Sequence, residues 1–417
     1  MKRLPATTVN YGLVAAFSFS PFIILAVYFV RVVHMSPLQL VLTGTVMEAA
    51  VFLFEVPTGA FADTYGRRLS LVVAFVVQGL AIVLVGAVPR FWVIALAWGV
   101  WGFGYTFESG AWEAWLADEI GVNRLGGVLM RASRLGYATG IVGLLAGVGV
   151  GLWSLQAAVI MGGAITAAAG VACIFVMPET GWSPTPRAER SHGAVELLCT
   201  ARAGASFVRA QPLILLLLGA TFVAGASSET FDRLWEAHFI RNVGLPHVGS
   251  LDPIIWFGLF GILVMLIGLG ASTLLIRRFE HADSPTLARV LLWLTTVLLG
   301  ACVGFGLANS LPLALCALLV ARAMRSLLAP VYSTWLNRQI TDSSVRATVI
   351  SIAGQADAVG QAGGGPALGV VGNVFGIRAA LVTGGLLLAP AIGLYGRAVA
   401  HHGREPELVA LPADAAV

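Results

Sequence analysis

The sequence predicts an all-α membrane protein with twelve transmembrane helices in two six-helix pseudo-repeats. Three observations lead there. Hydrophobic residues make up 58% of the chain and charged ones only 11%, whereas a soluble domain carries about 25% charged residues; so much apolar surface cannot all be buried in a soluble core. Apolar runs of roughly the 20 residues needed to cross a bilayer recur at 11–32, 38–60, 69–88, 91–117, 127–152, 155–177, 212–240, 252–276, 288–308, 311–337, 346–372 and 377–399. Finally, an offset of 220 residues carries Trp115-Leu116 and Ile120 onto Trp335-Leu336 and Ile340, Gly140 onto Gly360, Gly149 onto Gly369 and Leu129 onto Val349. A common offset at equivalent helices points to duplication. Parallel repeats of this kind are a transporter architecture, with the substrate site between the halves near the midplane.

The twelve runs divide into an N-terminal half at 1–177 and a C-terminal half at 212–400. Between them, 178–211 holds Pro178, Pro184, Pro186 and four arginines and reads as a cytoplasmic linker, with a surface helix over Glu196–Ala210. The tail 401–417 is expected to be disordered. Net charge is +4, but its placement matters more than its sum. With the N-terminus inside, inner segments hold sixteen Arg and Lys and outer segments hold four, Arg31, Arg90, Arg241 and Arg378. Positive charge gathers on the cytoplasmic side, so both termini are expected there. The first run lacks a small-residue cleavage site and reads as a retained helix rather than a signal peptide. Cys173, Cys199, Cys302 and Cys316 show no motif spacing and suit packing or free thiols better than a disulfide framework or zinc site.

The second and third runs meet at Gly59-Ala60-Phe61-Ala62-Asp63-Thr64-Tyr65-Gly66-Arg67-Arg68-Leu69-Ser70, a short charged hinge. Such a short connection makes its two helices antiparallel neighbours. Asp63 only accepts, while the Arg67 and Arg68 forks are always charged. The hinge is either a latch between helix ends or a plain topology marker. Gly59, Asp63, Gly66, Arg67 and Arg68 match, position by position, the signature loop between helices 2 and 3 of the major facilitator superfamily, which this chain resembles. A degenerate copy follows the eighth run, with Gly270 and Arg277-Arg278, but Leu274 stands where the acid would be. That asymmetry makes Asp63 distinctive. It is expected to latch the inner ends of helices 2, 5 and 11 in the outward-open state through Arg131 or Arg134.

Ionisable groups in hydrocarbon are costly and mark function by default, the alternative being a satisfied pair that fixes packing. Glu48 lies about 16 Å above the hinge by the 1.5 Å rise per residue. Burial there favours the neutral carboxyl, which suits a proton carrier. Glu55 lies one turn from the hinge and reads as part of the latch. In the fourth run Glu108, flanked by Phe107 and Trp112, is the deepest charge. In the seventh, Glu229 is deep, whereas Asp232, Arg233 and Glu236 lie toward the outer end as a gate network or an intrahelical ion cluster. Glu48, Glu108, Glu229 and Asp357 are the proton-coupling candidates. Arg322 and Arg325 either pair with Asp357 or attract an anionic group. Tyr105, Trp112, Tyr137, Arg322, Arg325 and Tyr332 are the substrate-cavity candidates.

The fifth run carries Gly136, Gly140, Gly143, Gly147, Gly149 and Gly151, and the eleventh Gly364-Gly365-Pro366-Ala367-Leu368-Gly369. Small residues at this spacing let helices approach closely. The pattern partly matches the superfamily's antiporter signature. Glu55-Val56-Pro57-Thr58-Gly59, Glu108-Ser109-Gly110-Ala111 and Phe231-Asp232-Arg233-Leu234-Trp235 are similar to the branch that includes bacterial macrolide- and tetracycline-efflux proteins. That resemblance implies a secondary transporter exporting a lipophilic drug or secondary metabolite by proton antiport through alternating access. Its partners would be that substrate, protons and membrane lipid, with no cofactor, no metal and no nucleic acid, and the protein would act as a monomer. High Arg, Ala and Gly with a single Lys suggests a bacterial cell membrane. Nutrient symport, facilitated uptake, or a non-transporting sensor on the same fold are the alternatives. No Walker motif is present to couple ATP directly, and no nucleophile constellation suggests an enzyme.

Overall fold

The computed structural model describes residues 3–19, 22–182, 202, 205–247, 252–279, 282–340 and 346–402. All regular structure among them is helical. The N-terminal half contains α1 (Ala6–Phe19), α2 (Phe22–Arg31), α3 (Pro37–Tyr65), α4 (Arg67–Ala87), α5 (Phe91–Glu108), α6 (Ala111–Ile120), α7 (Val122–Trp153) and α8 (Leu155–Val176). The C-terminal half contains α9 (Pro212–His238), which a π-helical turn extends through Val243, then α10 (Ile254–Phe279), α11 (Ser284–Leu307), α12 (Leu311–Gln339), α13 (Arg346–Phe375), α14 (Ile377–Leu386) and α15 (Ala389–His402). Among the described residues nine helical stretches are long and apolar enough to cross a membrane. Taking α1–α2, α5–α6 and α14–α15 as broken single spans leaves twelve segments at the places of the twelve apolar runs. The surface-helix reading of 196–210 falls largely outside the described residues, within which 205–210 are helical. The tail beyond His402 also lies outside them.

Local chemistry sets the helix starts. Ser36 and Gln39 form a capping box at α3, with Gln39 N on Ser36 Oγ at 3.3 Å and Ser36 N on Gln39 Oε1 at 2.9 Å, which satisfies two orphan donors reciprocally. Ser154 caps α8 and Asp283 caps α11 in the simpler way. The hinge differs from its sequence reading as a turn of a dozen residues. α3 runs through Gly59 and Asp63 to Tyr65, α4 starts at Arg67, and Gly66 alone breaks the helix with φ of 109°. That left-handed value admits glycine at no steric cost. One residue suffices because Asp63 and Arg67 then stand close enough to pair across the break.

Glycines carry much of the helix packing. Gly79 of α4 and Gly163 of α8 face each other's backbone, and Gly360 and Gly364 of α13 sit against Phe222 and Ala226 of α9. Without Cβ atoms, backbones approach within direct van der Waals contact. Trp115 and Trp335, the pair related by the 220-residue offset, are both fully buried and head the largest side chains of the interior.

The halves meet through α3 against α13 and α7 against α10, with α9 and α10 also touching α2. The 220-residue offset relates α7 to α13, so the two main contacts are equivalent between repeats. Gly365, Gly369 and Gly372 on one stripe of α13 receive Val41, Leu38 and Pro37 of α3. All three contacts lie away from the hinge, at what is here termed the far end. The far end is also where polar groups cross between halves. Leu38 N donates to Asn373 Oδ1 at 2.9 Å, Arg241 Nη2 donates to Met35 O at 2.6 Å, and Arg31 grips Asp252 at 2.6 and 3.0 Å. Among the described residues no ion pair joins the halves at the hinge end. The molecule is therefore closed at the far end and open at the hinge end.

The Arg31 guanidinium holds the Asp252 carboxyl below its ordinary value of 3.8. A depressed carboxyl contributes its stabilisation above the ordinary value and loses it only as pH falls through the lowered one. Far-end closure, read by spin-label distances across that end, is therefore expected to stay constant between pH 8 and about 5. Asp252→Asn is expected to widen it throughout that range. Opening of the unmodified protein near pH 6 would mean that another group controls closure.

Candidate functional site

Helix α9 carries the charges of the C-terminal half. Glu229 and Arg233 stand one turn apart and pair at 3.2 Å, with Glu229 buried. The Arg233 guanidinium lies 5.6 Å from the Trp98 ring centre of α5, so a cation of one half rests on an aromatic of the other. Gly44 of α3 makes this possible, since a Cβ there would sit 2.3 Å from Glu229 Oε2. Asp232 faces α12 and takes two guanidiniums: Arg325 through both terminal nitrogens at 2.7 and 2.6 Å, and Arg322 at 3.1 Å. Arg322 also lies over Phe231 and Trp235 at 5.5 and 5.7 Å.

This corrects the pairing expected with Asp357. Arg322 and Arg325 lie one turn apart on the same face of α12, level with Asp232. Asp357 meets α9 at Gly225, seven residues and about 10 Å lower at 1.5 Å per residue. Its carboxylate instead accepts from Gln361 Nε2 at 2.7 Å. Glu236 is buried and its Oε2 has no hydrogen-bond partner among the described residues.

In the N-terminal half the fourth span is broken at Ser109-Gly110, where Gly110 has φ of 72°. A break inside a membrane span frees carbonyls that lipid cannot satisfy. Neighbouring helices do so here: Thr58 Oγ1 donates to Thr106 O at 2.9 Å and Ser70 Oγ to Phe107 O at 2.8 Å. Ser109 Oγ donates to Glu55 Oε1 at 2.7 Å, so Glu55 braces this break rather than the hinge. Gln78 donates to Glu108 at 2.8 Å, and Trp112 Nε1 to the buried Asn10 at 2.7 Å. Tyr105, Glu108, Trp112 and Glu113 line a pocket of about 340 Å³ beside the break. Tyr105 stacks on Trp101 at 5.7 Å.

At the hinge, Asp63 pairs with Arg67 at 2.7 Å, and Arg67 reaches toward Asp118 of α6 at 3.9 Å. Arg68 engages Glu179 through its backbone N–H at 2.8 Å and its side chain at 3.7 Å. Pro178 O accepts from Trp115 Nε1 at 2.8 Å, and Glu119 accepts from Thr180 and from Gly181 N. The linker's first residues are thus tied to the hinge. Arg131 and Arg134 are exposed and form no ion pair among the described residues, so in this open arrangement they do not hold Asp63. The sequence reading passed over Glu179, although an acid directly after the sixth run lies at the same end as Arg67 and Arg68.

The larger of the two cavities found among the described residues, about 560 Å³, is enclosed by α9, α11, α12, α13 and the α14–α15 segment. It exposes Asp357, Arg325 and Tyr332 among the predicted residues, and Asp232 and Gln361 besides. Glu48, half-buried on α3, lies within Coulomb range of Glu229, Arg233 and Asp357. Tyr137 points its hydroxyl toward Gly268 of α10. Among the described residues no group of three His, Cys, Asp or Glu is placed to hold a metal.

One carboxylate serves two guanidiniums at Asp232, so its neutral variant strands two cations. Asp232→Asn is expected to cost about 3 kcal/mol, at the lower end for a broken buried pair. Arg322→Gln, which leaves the bidentate Arg325 pair intact, should cost clearly less. Thermal unfolding in detergent checks the ordering, and equal losses would show that the triad does not hold α9 to α12.

The Major Facilitator Superfamily profile matches residues 8–299. The uncharacterized MFS-type transporter YxaM of Bacillus subtilis (strain 168) is 26% identical over 366 residues, covering 86% of each chain. A solved mutant of the nucleoside transporter NupG shares the fold with a TM-score of 0.74 at 12% identity, over 95% of this chain and 98% of that one. A bacterial homologue of the human lysosomal transporter Spinster, in an inward-facing and unoccupied conformation, does so with a TM-score of 0.69 at 14% identity, over 96% and 98%. Two packed repeats, a charged hinge and a profile match over most of the chain agree: this protein belongs to the major facilitator superfamily, and it is a multi-pass membrane transporter rather than an enzyme.

Proposed function

We propose that this transporter exports a lipophilic small molecule by proton antiport through alternating access. The arginine bias places the hinge end, with both termini, in the cytoplasm. On that assignment the cavity opens inward and the glycine-lined α3–α13 contact seals the outside. The observation that carries the reading is the convergence of Glu48, Glu229 and Asp357 from three helices and both halves, with Arg233 beside Glu48 and Glu229 and Arg325 the cation nearest Asp357. Protons and a cationic substrate are then alternative ways of balancing the same carboxylates, which is the requirement for exchange. The energy source is the proton gradient, with no bound cofactor.

Asp63 belongs to the conformational balance in this reading. With Arg67 and Asp118 it keeps the end of α3 attached to the N-terminal half while the cytoplasmic side is open. In the outward-open state the same charges become available to the inner ends of helices α7 and α13.

Proteoliposomes with an imposed pH gradient and a panel of lipophilic cations, macrolides and tetracyclines test the function. Substrate-induced proton movement against substrate flux is expected, and Glu48→Gln should abolish it while leaving substrate binding. Co-movement of proton and substrate would replace antiport with symport, and silence in folded protein would overturn export. Asp63→Asn is expected to shift the fraction of open molecules, read by spin-label distances at the hinge end, without changing substrate affinity. Unchanged distances in both apo and substrate-bound protein would remove the latch.

A further inference from the structure

The larger described cavity is lined by residues of the C-terminal half, with none of the N-terminal half among them. It runs into the C-terminal bundle and ends among Leu298, Cys302, Leu388, Ala391 and Tyr395, on spans nine and twelve. Each of these residues is less than a tenth exposed, yet each lines the cavity. Apart from the Thr295 and Tyr395 hydroxyls the branch is apolar. Its mouth holds the polar groups, and they are unequal in charge. Arg325 uses both terminal nitrogens on Asp232. Ser227 donates to Gly384 O and Ser228 to Gly225 O. Asp357 accepts only from the neutral Gln361 and has no basic partner within ion-pair distance among the described residues. A carboxylate with no ion pair of its own, Arg325 being taken up by Asp232, at the mouth of an apolar side pocket is a site with one charged end and one oily end.

We propose that this branch binds an amphiphilic amine, with the ammonium head on Asp357 and the apolar body inside the C-terminal bundle between α9, α11, α12 and α15. The proposal names a substrate class for the export reading and rests on it. An anionic head is disfavoured, because the charged groups that line the cavity, Asp232, Arg325 and Asp357, sum to one negative charge, and Arg325 is already held by Asp232. About 560 Å³ falls within the range of small-molecule sites. Charge-assisted hydrogen bonding to the head contributes about 1.5–3 kcal/mol, and each methylene buried in the branch about 0.8 kcal/mol. Head and tail therefore contribute separately and are separable by experiment.

Cys302 provides the readout, since its side chain lines the branch. In detergent-solubilised protein carrying Cys173→Ala, Cys199→Ala and Cys316→Ala, the rate of Cys302 alkylation by N-ethylmaleimide is followed by mass spectrometry. Butylammonium, octylammonium and neutral 1-octanol serve as protecting probes. Octylammonium is expected to protect at concentrations about tenfold lower than octanol, the ratio for one charge-assisted contact, and lower than butylammonium. Asp357→Asn should bring octylammonium and octanol to within about twofold of each other, with the octanol value unchanged. Ala391→Leu, and the bulkier Leu298→Trp where it folds by thermal unfolding, should weaken octylammonium more than butylammonium. An unreactive Cys302 without probe, equal protection by octanol, or an unchanged chain-length preference in Ala391→Leu would each overturn the proposal. No gradient is present in this assay. Protection without proton-coupled flux in liposomes would therefore keep the site and reject antiport, and flux without protection would do the reverse.

Discussion

Lipid offers no hydrogen bonds, so every polar group placed inside the bundle must be answered by another part of the protein. The rest of the structure depends on this constraint. Helix α9 holds four ionisable residues within eight positions, and their partners come from three directions: Arg233 on the same helix, Arg322 and Arg325 on α12, and the Trp98 face across the half-to-half boundary. The broken fourth span obeys the same rule. Thr58 and Ser70 answer the carbonyls before Gly110, while Glu55 and Gln78 hold Ser109 and Glu108. The charges of this chain are thus mostly its internal fastening, and the exceptions stand out by contrast. Asp357 lines the cavity, Glu48 is half-buried on α3, and Glu236 is buried with Oε2 unpartnered; none of the three has an ion pair among the described residues, and the transport proposal rests on Glu48 and Asp357.

Close approach of backbones is the second physical theme. The α13 helix presents Gly360 and Gly364 to α9 on one side and Gly365, Gly369 and Gly372 to α3 on the other. One helix thereby binds its own half permanently and the opposite half at one end only. On the α13 side this contact is glycine, so only the α3 side chains Pro37, Leu38 and Val41 need to lift out when α13 and α3 separate. That is a suitable surface for a joint that must close and reopen. The polar contacts at the same end, Arg31 with Asp252 and Arg241 with Met35, add strength that a rearrangement is able to release.

Membrane class, span count, duplication and the hinge were legible along the chain because each depends on composition, length or a fixed offset. Trp115 and Trp335 illustrate this, since residues picked out by the offset alone occupy matching buried positions. The importance of Glu108-Ser109-Gly110 was legible as an unusual motif, though the helix break it marks was not. Pairing was not legible. Asp357 was the acid within the neighbouring apolar run, yet Asp232, some ninety residues away, takes both Arg322 and Arg325. Glu55 lay near the hinge in sequence and braces a different helix in space. Glu179 went unnoticed because the linker's approach to Gly66 leaves no periodic signal.

The division has a physical cause. Hydrophobic runs and positive loops respond to the membrane, which acts on each segment separately, so the sequence by itself determined that this is a twelve-span, duplicated membrane transporter with a charged hinge. Which carboxylate meets which guanidinium depends on the rotation and height of helices relative to one another, and only packing among them sets those. Tertiary structure alone therefore decided the Asp232 triad, an Asp357 with no ion pair among the described residues, and the oily branch behind it.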